Sequence, residues 1–133
     1  MGIIKVHIDW EDNYGAASDL VLGCVATHKT LEGVKFAYSS ALEFHLKGLQ
    51  KDGEDIPEVL SGKYKLVFEL TTKAILHHID GVITRAALAR ICGINEKQLG
   101  HYMTGHRIPR PAQQQKIIEG IHRIGTDFLS VIH

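Results

Sequence analysis

The chain has 133 residues, 44% of them hydrophobic and 23% charged, and its 15 basic and 15 acidic side chains give a formal net charge of zero. That balance suits one ordinary folded domain or two small ones and excludes a disordered polyelectrolyte. No apolar run approaches the roughly 20 residues a membrane span requires, and the opening residues lack a signal peptide's basic and apolar regions, so a cytoplasmic protein is expected.

The zero net charge hides an asymmetry. Residues 1–70 carry seven lysines and no arginine against eleven acids, a net −4, whereas residues 71–133 carry eight bases against four acids, a net +4. All five arginines (85, 90, 107, 110 and 123) lie in the second part. Two domains are therefore expected, 1–70 and 71–133, the second suited to a polyanionic partner. The two cysteines, Cys24 and Cys92, are far apart in apolar surroundings, which predicts buried free thiols in a reducing compartment.

Ile3–Trp10 alternates, with Ile4, Val6, Ile8 and Trp10 on one face and Lys5, His7 and Asp9 on the other, the pattern of a half-buried strand. Glu11-Asp12-Asn13 predicts a hairpin turn and Tyr14–Ser18 a returning strand; after a loop over Asp19–Gly23, Cys24–Thr27 is extended. Thr30 predicts a helix N-cap, although Gly33 occupies the place of a capping-box glutamate. The helix should reach about Gln50, with Leu31, Val34, Tyr38, Ala41, Leu42, His45 and Leu49 on its apolar stripe. Phe36 points away from that stripe and Phe44 borders it, which makes them candidate partner contacts. Lys51–Gly62 is turn-rich and acidic, and Lys63–Leu70 alternates again, with Tyr64, Leu66, Phe68 and Leu70 on one face. The first 70 residues therefore predict a small α+β layer of a few strands and one long helix.

From Thr71 the period becomes helical. Ala74, Ile75, His78 and Ile79 mark a first short helix stopped by Asp80-Gly81. Thr84 caps a second and Asn95 a third. Pro111 suits the first position of a fourth, held by Ile117, Ile118, Ile121 and Ile124 and ended by Gly125, with Phe128–Ile132 as a fifth, apolar terminal segment. Within this run, Thr84–Gly105 has the spacing of a helix-turn-helix: Ala89 where the helices cross, Gly93 in the turn, and Ile94, Leu99 and Tyr102 fixing the second helix. On a helical wheel Leu99, Tyr102 and Met103 face inward; Lys97, Gly100, His101 and Thr104 face outward with Gln98 flanking, and Gly100 would admit close backbone approach. Lys97, Gln98 and His101, with Thr104 nearby, are the candidate DNA groove contacts, and Arg85, His106, Arg107 and Arg110 the candidate phosphate contacts. Asn95, the cap of the second helix, belongs to the same DNA-facing set. One such helix reads too few base pairs for useful specificity, so a homodimer or higher oligomer is expected, with the terminal Phe128–Ile132 segment as the place where copies meet.

The segments IDWEDNYGA, LVLGCVATHKTLEGV and ALEFHLKGLQKDGEDIPE together resemble the HicB antitoxins of bacterial type II toxin–antitoxin pairs. ITRAALARICGINEKQLGHYMTGHRIPRPAQQQKI resembles the helix-turn-helix that many of them carry; LVLGC departs from the proline-containing form common at its loop. The resemblance implies a truncated ribonuclease-H-like α+β domain followed by an all-α, phage-repressor-like domain. It further implies that the first part binds and neutralises a HicA-type mRNA-cleaving toxin, and that the second represses its own operon by binding double-stranded operator DNA. The acidic first part fits a basic toxin.

Two other classes compete. One is a stand-alone transcriptional regulator whose α+β domain senses a small molecule. The other is a ribonuclease-H-like nuclease, for which Asp9, Asp19 and Glu69 are the available carboxylates. Half of that enzyme fold is missing, there is no HExxH, CxxC, P-loop or dinucleotide glycine motif, and His77 and His78 face different sides of a helix. No enzymatic activity, metal or cofactor is expected.

Overall fold

The computed structural model describes residues 2–132. The architecture is α+β, a four-stranded mixed sheet and five α-helices, and the chain divides into two compact units, Met1–Ala74 and Ile75–His133.

In the first unit, β1 (Gly2–Glu11) buries Ile4, Val6 and Ile8 completely, while Lys5, His7 and Asp9 stay on the open face. The period of two in the sequence is thus a real division between core and solvent. The turn is tighter than the sequence implies: Asp12 alone reverses the chain with φ 63°, and β2 (Asn13–Ala17) pairs antiparallel with β1 from Glu11↔Asn13 to His7↔Ala17. Aspartate is among the few non-glycine residues that tolerate this left-handed conformation. β3 (Val25–His28) pairs antiparallel with β2.

Helix α1 (Leu31–Lys51) starts where expected, with Thr30 Oγ1 accepting from the Gly33 amide at 3.0 Å. Gly33 stands in place of glutamate because the His28 imidazole packs onto it and a Cβ there would collide with the ring, whose Nδ1 accepts from the Thr30 amide at 3.1 Å. The helix buries Leu31, Val34, Tyr38 and Leu42 against the sheet. Each side chain so buried contributes about 1.5–3 kcal/mol of transfer free energy. The acidic connection contains a short 3-10 turn over Glu58–Leu60 that seats Leu60 in the core, a contribution the turn-rich sequence concealed. β4 (Tyr64–Leu70) then runs parallel to β1, from Gly2↔Tyr64 to Ile8↔Leu70, so the strand order is β3-β2-β1-β4.

Helix α2 (Thr72–Asp80) is launched by Thr71, whose Oγ1 accepts from the Ala74 amide at 3.1 Å and donates to Asp9 Oδ1 at 2.7 Å. Thr72 and Ala74 are buried with the first unit, which moves the division of the chain four residues past the expected position after residue 70.

In the second unit, α3 (Arg85–Cys92), α4 (Glu96–Thr104) and α5 (Pro111–Leu129) follow α2, and Leu76, Leu88, Leu99 and Ile117 form a fully buried centre. α5 has Pro111 in its first turn as expected, but Gly125 does not end it. The helix continues to Leu129: Ile117, Ile121 and Ile124 hold it against the second core up to the glycine, which costs an interior helix position only about 1 kcal/mol, and the turn beyond, with Phe128 66% exposed, goes on as helix. The expected fifth segment is therefore the last turn of α5 and a short tail. Both thiols are free and buried, and burial pushes Cys24 and Cys92 above the usual cysteine range. Among the described residues, no helix is long and apolar enough to cross a membrane.

Candidate nucleic-acid interface

The residues expected to face DNA are carried by α3, α4 and the segment after them. Thr84 opens α3 by accepting from the Ala87 amide at 3.1 Å, and Gly93 closes it with φ 70° and ψ 35°. That left-handed residue turns the chain within three positions into α4, whose cap Asn95 accepts from the Lys97 and Gln98 amides at 2.9 and 3.3 Å. Ala89 and Ile94 are buried at the crossing, and Leu99, Tyr102 and Met103 fix the inner side of α4. The residues that the sequence placed inward are therefore inward.

The outer side differs from the wheel at Gly100 and Gln98, and Arg85 of α3 lies across it. Gly100 is buried, because the Arg85 side chain lies across it; a Cβ there would stand 2.9 Å from Arg85 Nη1. Its role is to let that guanidinium lie down on α4, and it offers no bare backbone to a ligand. Arg85 accordingly extends over α4, with Nη2 donating to Met103 Sδ at 3.4 Å. Gln98 is half-buried and its Nε2 donates to the Tyr102 hydroxyl at 2.9 Å, so it turns toward the α4–α5 side. Lys97 and Thr104 are exposed as expected, and the Asn95 side-chain oxygen is committed to its cap.

His101 is half-buried between them. Its ring meets that of His106 edge to face at 4.7 Å. Desolvation first, then His106, Arg107 and Lys97, hold its pKa below the ordinary histidine value. Gly105, with φ 81°, ends α4, and His106, Arg107, Ile108 and Arg110 follow, all exposed. From Lys97 to Arg110 the sequence contains three permanent cations and no acid.

Two features here escaped the sequence reading. No side chain caps α5: Pro111 has no N–H and the Gln114 amide donates to the Arg110 carbonyl at 2.9 Å, which leaves the Ala112 and Gln113 amides without a capping side chain. The signal was available, since neither Arg110 nor Pro111 belongs to the capping residue types. The second is a polar groove of about 460 Å³ lined by Gln98, Tyr102, Arg107, Ile108, Arg110 and Gln113. It brings three of the predicted residues to one wall. Together with Lys97 and Thr104 these groups offer donors and positive charge to a phosphate-bearing surface.

In the first unit, Asp9 accepts from the Trp10 amide at 2.8 Å and from Thr71. Asp19 and Glu69 flank His7, each with a carboxylate oxygen 3.7 Å from a ring nitrogen, and Lys5 Nζ lies 3.3 Å from Glu69. Asp19 and Glu69 thus share His7 while Asp9 is engaged apart from them, and among the described residues no group of three or more histidines, cysteines and acids has the geometry to hold a metal ion. Phe36 and Phe44 are both exposed on α1. No protein-family model matches the chain, and the search of curated proteins returns no relative.

Proposed function

We propose that the chain is a DNA-binding antitoxin of the HicB type. In this reading Ile75–His133 is a phage-repressor-like helix-turn-helix domain that lays α4 in the major groove of operator DNA. Met1–Ala74 is a truncated ribonuclease-H-like domain that captures and neutralises a HicA-type toxin, and the protein acts in the cytoplasm as a dimer or higher oligomer without enzymatic activity. The observation that carries the DNA half is the Gly93 turn joining two capped helices, with an acid-free run from Lys97 to Arg110 beyond it. Lys97, His101 and Thr104 then face base edges, while Arg107, Arg110 and the uncapped amides of α5 face phosphates. The toxin half rests on the sequence resemblance and on the net −4 of residues 1–70, which suits a basic, RNA-binding partner.

The test is a gel-shift series on the DNA upstream of the chain's own reading frame. Lys97→Ala with His101→Ala should erase the preference for that DNA over random duplex, at about 1–3 kcal/mol per lost base contact. Arg107→Ala should weaken both duplexes alike and flatten the salt dependence. Equal binding of both duplexes by the unaltered protein would defeat the repressor reading. Failure to co-purify with the product of an adjoining reading frame would defeat the antitoxin reading.

A further inference from the structure

Within the first unit, the C-terminal half of α1 and the start of β3 enclose a cleft of about 430 Å³ walled by Val25, Ala41, Phe44, His45, Leu49 and Asp52. Gly23 and Gly48 also line it, and the space where a Cβ of either would stand is open, with nothing within 4 Å. Two large apolar side chains of its wall stand uncovered: Val25 and Phe44 are 65% and 81% exposed, and Leu22, next to the lining residue Gly23, is 81% exposed. Monomeric proteins seldom leave such a cluster bare beside a concave surface.

The strand order places β3 outermost, so one of its edges has no neighbour in the sheet. The opposite edge, β4, carries Lys65 and Glu69 and follows Lys63, the charged side chains that discourage pairing. β3 reads Val-Ala-Thr-His and has no lysine, glutamate or proline within it, although Lys29 follows it as Lys63 precedes β4. An extended segment added there would run beside the cleft and send alternate side chains toward it. Charge selects the occupant. Asp52 lines the cleft and begins a stretch with four acids, through Glu58, and no base before Lys63. A second copy of the chain would bring two parts of net −4 together, whereas a basic partner is attracted.

We infer that the edge of β3 and the α1 cleft receive an extended basic segment of the ribonuclease partner. The segment adds a strand to β3, seats one large apolar side chain against Phe44, and sets a cation at Asp52. The inference rests on the antitoxin reading above and deepens it. It also separates the two exposed phenylalanines: Phe44 lines the cleft and Phe36 does not.

The experiment uses the full chain with a catalytically inactivated form of the basic ribonuclease encoded by the adjoining frame, and measures the dissociation constant by calorimetry. Val25→Asp and Phe44→Ser should each weaken the complex at least thirtyfold, the mark of a central anchor. Gly48→Phe, which fills the open space, should do the same. Phe36→Ser should stay within twofold, and unchanged Trp10 fluorescence should verify the fold. Amides of Val25–His28 should exchange more slowly in the complex. Unaltered affinity in all cleft variants, or amide exchange in β3 left unchanged by the partner, would overturn the inference and leave the antitoxin reading standing. An equal loss with Phe36→Ser would move the contact to the outer side of α1 and overturn it too. A self-dimer of the isolated chain that Val25→Asp dissolves would assign the edge to a second copy. No complex with the unaltered chain would remove the antitoxin reading itself and this inference with it.

Discussion

Replacing Gly93 by alanine isolates the conformational requirement on which the α3–α4 turn depends. The residue sits at φ 70° and ψ 35°, and a Cβ there meets nothing within 4 Å, so alanine brings backbone strain with no collision. Holding an L-residue in this region costs roughly 1–2 kcal/mol. For a unit of this size, each 1 kcal/mol lowers the melting temperature by about 4–8 °C. Gly93→Ala should therefore lower the midpoint of the second unit, followed by circular dichroism at 222 nm, by about 5–15 °C. Trp10, the single tryptophan, lies in the first unit and reports on it separately by fluorescence. Gly93→Asn should fall between glycine and alanine, because asparagine tolerates the left-handed region. Gly81→Ala is the control: it also adds a Cβ in open space but at a residue without positive φ, and it should be neutral or slightly stabilising. If Gly93→Ala and Gly81→Ala shift the transition equally, the strain argument is wrong and the turn is held by something else.

Leu99→Ala should cost about 2–5 kcal/mol, since the side chain is fully buried at the centre of the second core. That approaches the whole stability expected of so small a unit, so thermal melts should show the second unit largely unfolded at 37 °C. Gly120→Ala should destabilise by about 1–3 kcal/mol, because its Cβ would overlap Cys92 Sγ, and Gly120→Ala with Cys92→Ala should recover most of the loss in urea titrations. On the proposed reading as a DNA-binding protein, DNA affinity should rise on acidification. The free protein holds the His101 pKa below its ordinary value of 6.5, phosphates nearby would raise it, and binding therefore takes up a proton. Fluorescence anisotropy between pH 8 and pH 5.5 should give a flat dissociation constant at the alkaline end and a falling one toward the acidic end. His101→Gln should reduce that slope; an unchanged slope would exclude His101 as the group concerned.

The elements that could be recognised in the sequence were those determined by their own residues. Alternation in Ile4, Val6 and Ile8, the caps Thr30, Thr84 and Asn95, and the glycine at 93 each act within a few positions, and each element appears where these residues indicate. What escaped depends on distant parts of the chain. A period of two marks β4 as a strand but contains nothing about running parallel to β1 at the edge of the sheet. Gly100 lies about 100° from Leu99 on the wheel, at the margin between the two faces. A long side chain from another helix, Arg85, decides which side of that margin it joins. Gly125 is ambiguous for a different reason, since a glycine permits both a helix end and a continued helix, and here the helix runs on to Leu129. The candidate interface was therefore legible in its cations and not in the posture of Arg85 and Gln98.

The pairing of β1 with β4 imposes an order of events on synthesis. Gly2 finds its neighbour at Tyr64, so the first strand acquires its second partner only after more than sixty further residues have been made. At about 5–20 residues per second, the growing chain spends several seconds with one edge of β1 unpaired and Ile4, Val6 and Ile8 incompletely enclosed. Closing so long a loop is also the slow step in folding such a sheet. During that interval the hairpin of β1 and β2 stands without its β4 neighbour, and the unpaired edge of β1 is a template for pairing with another chain.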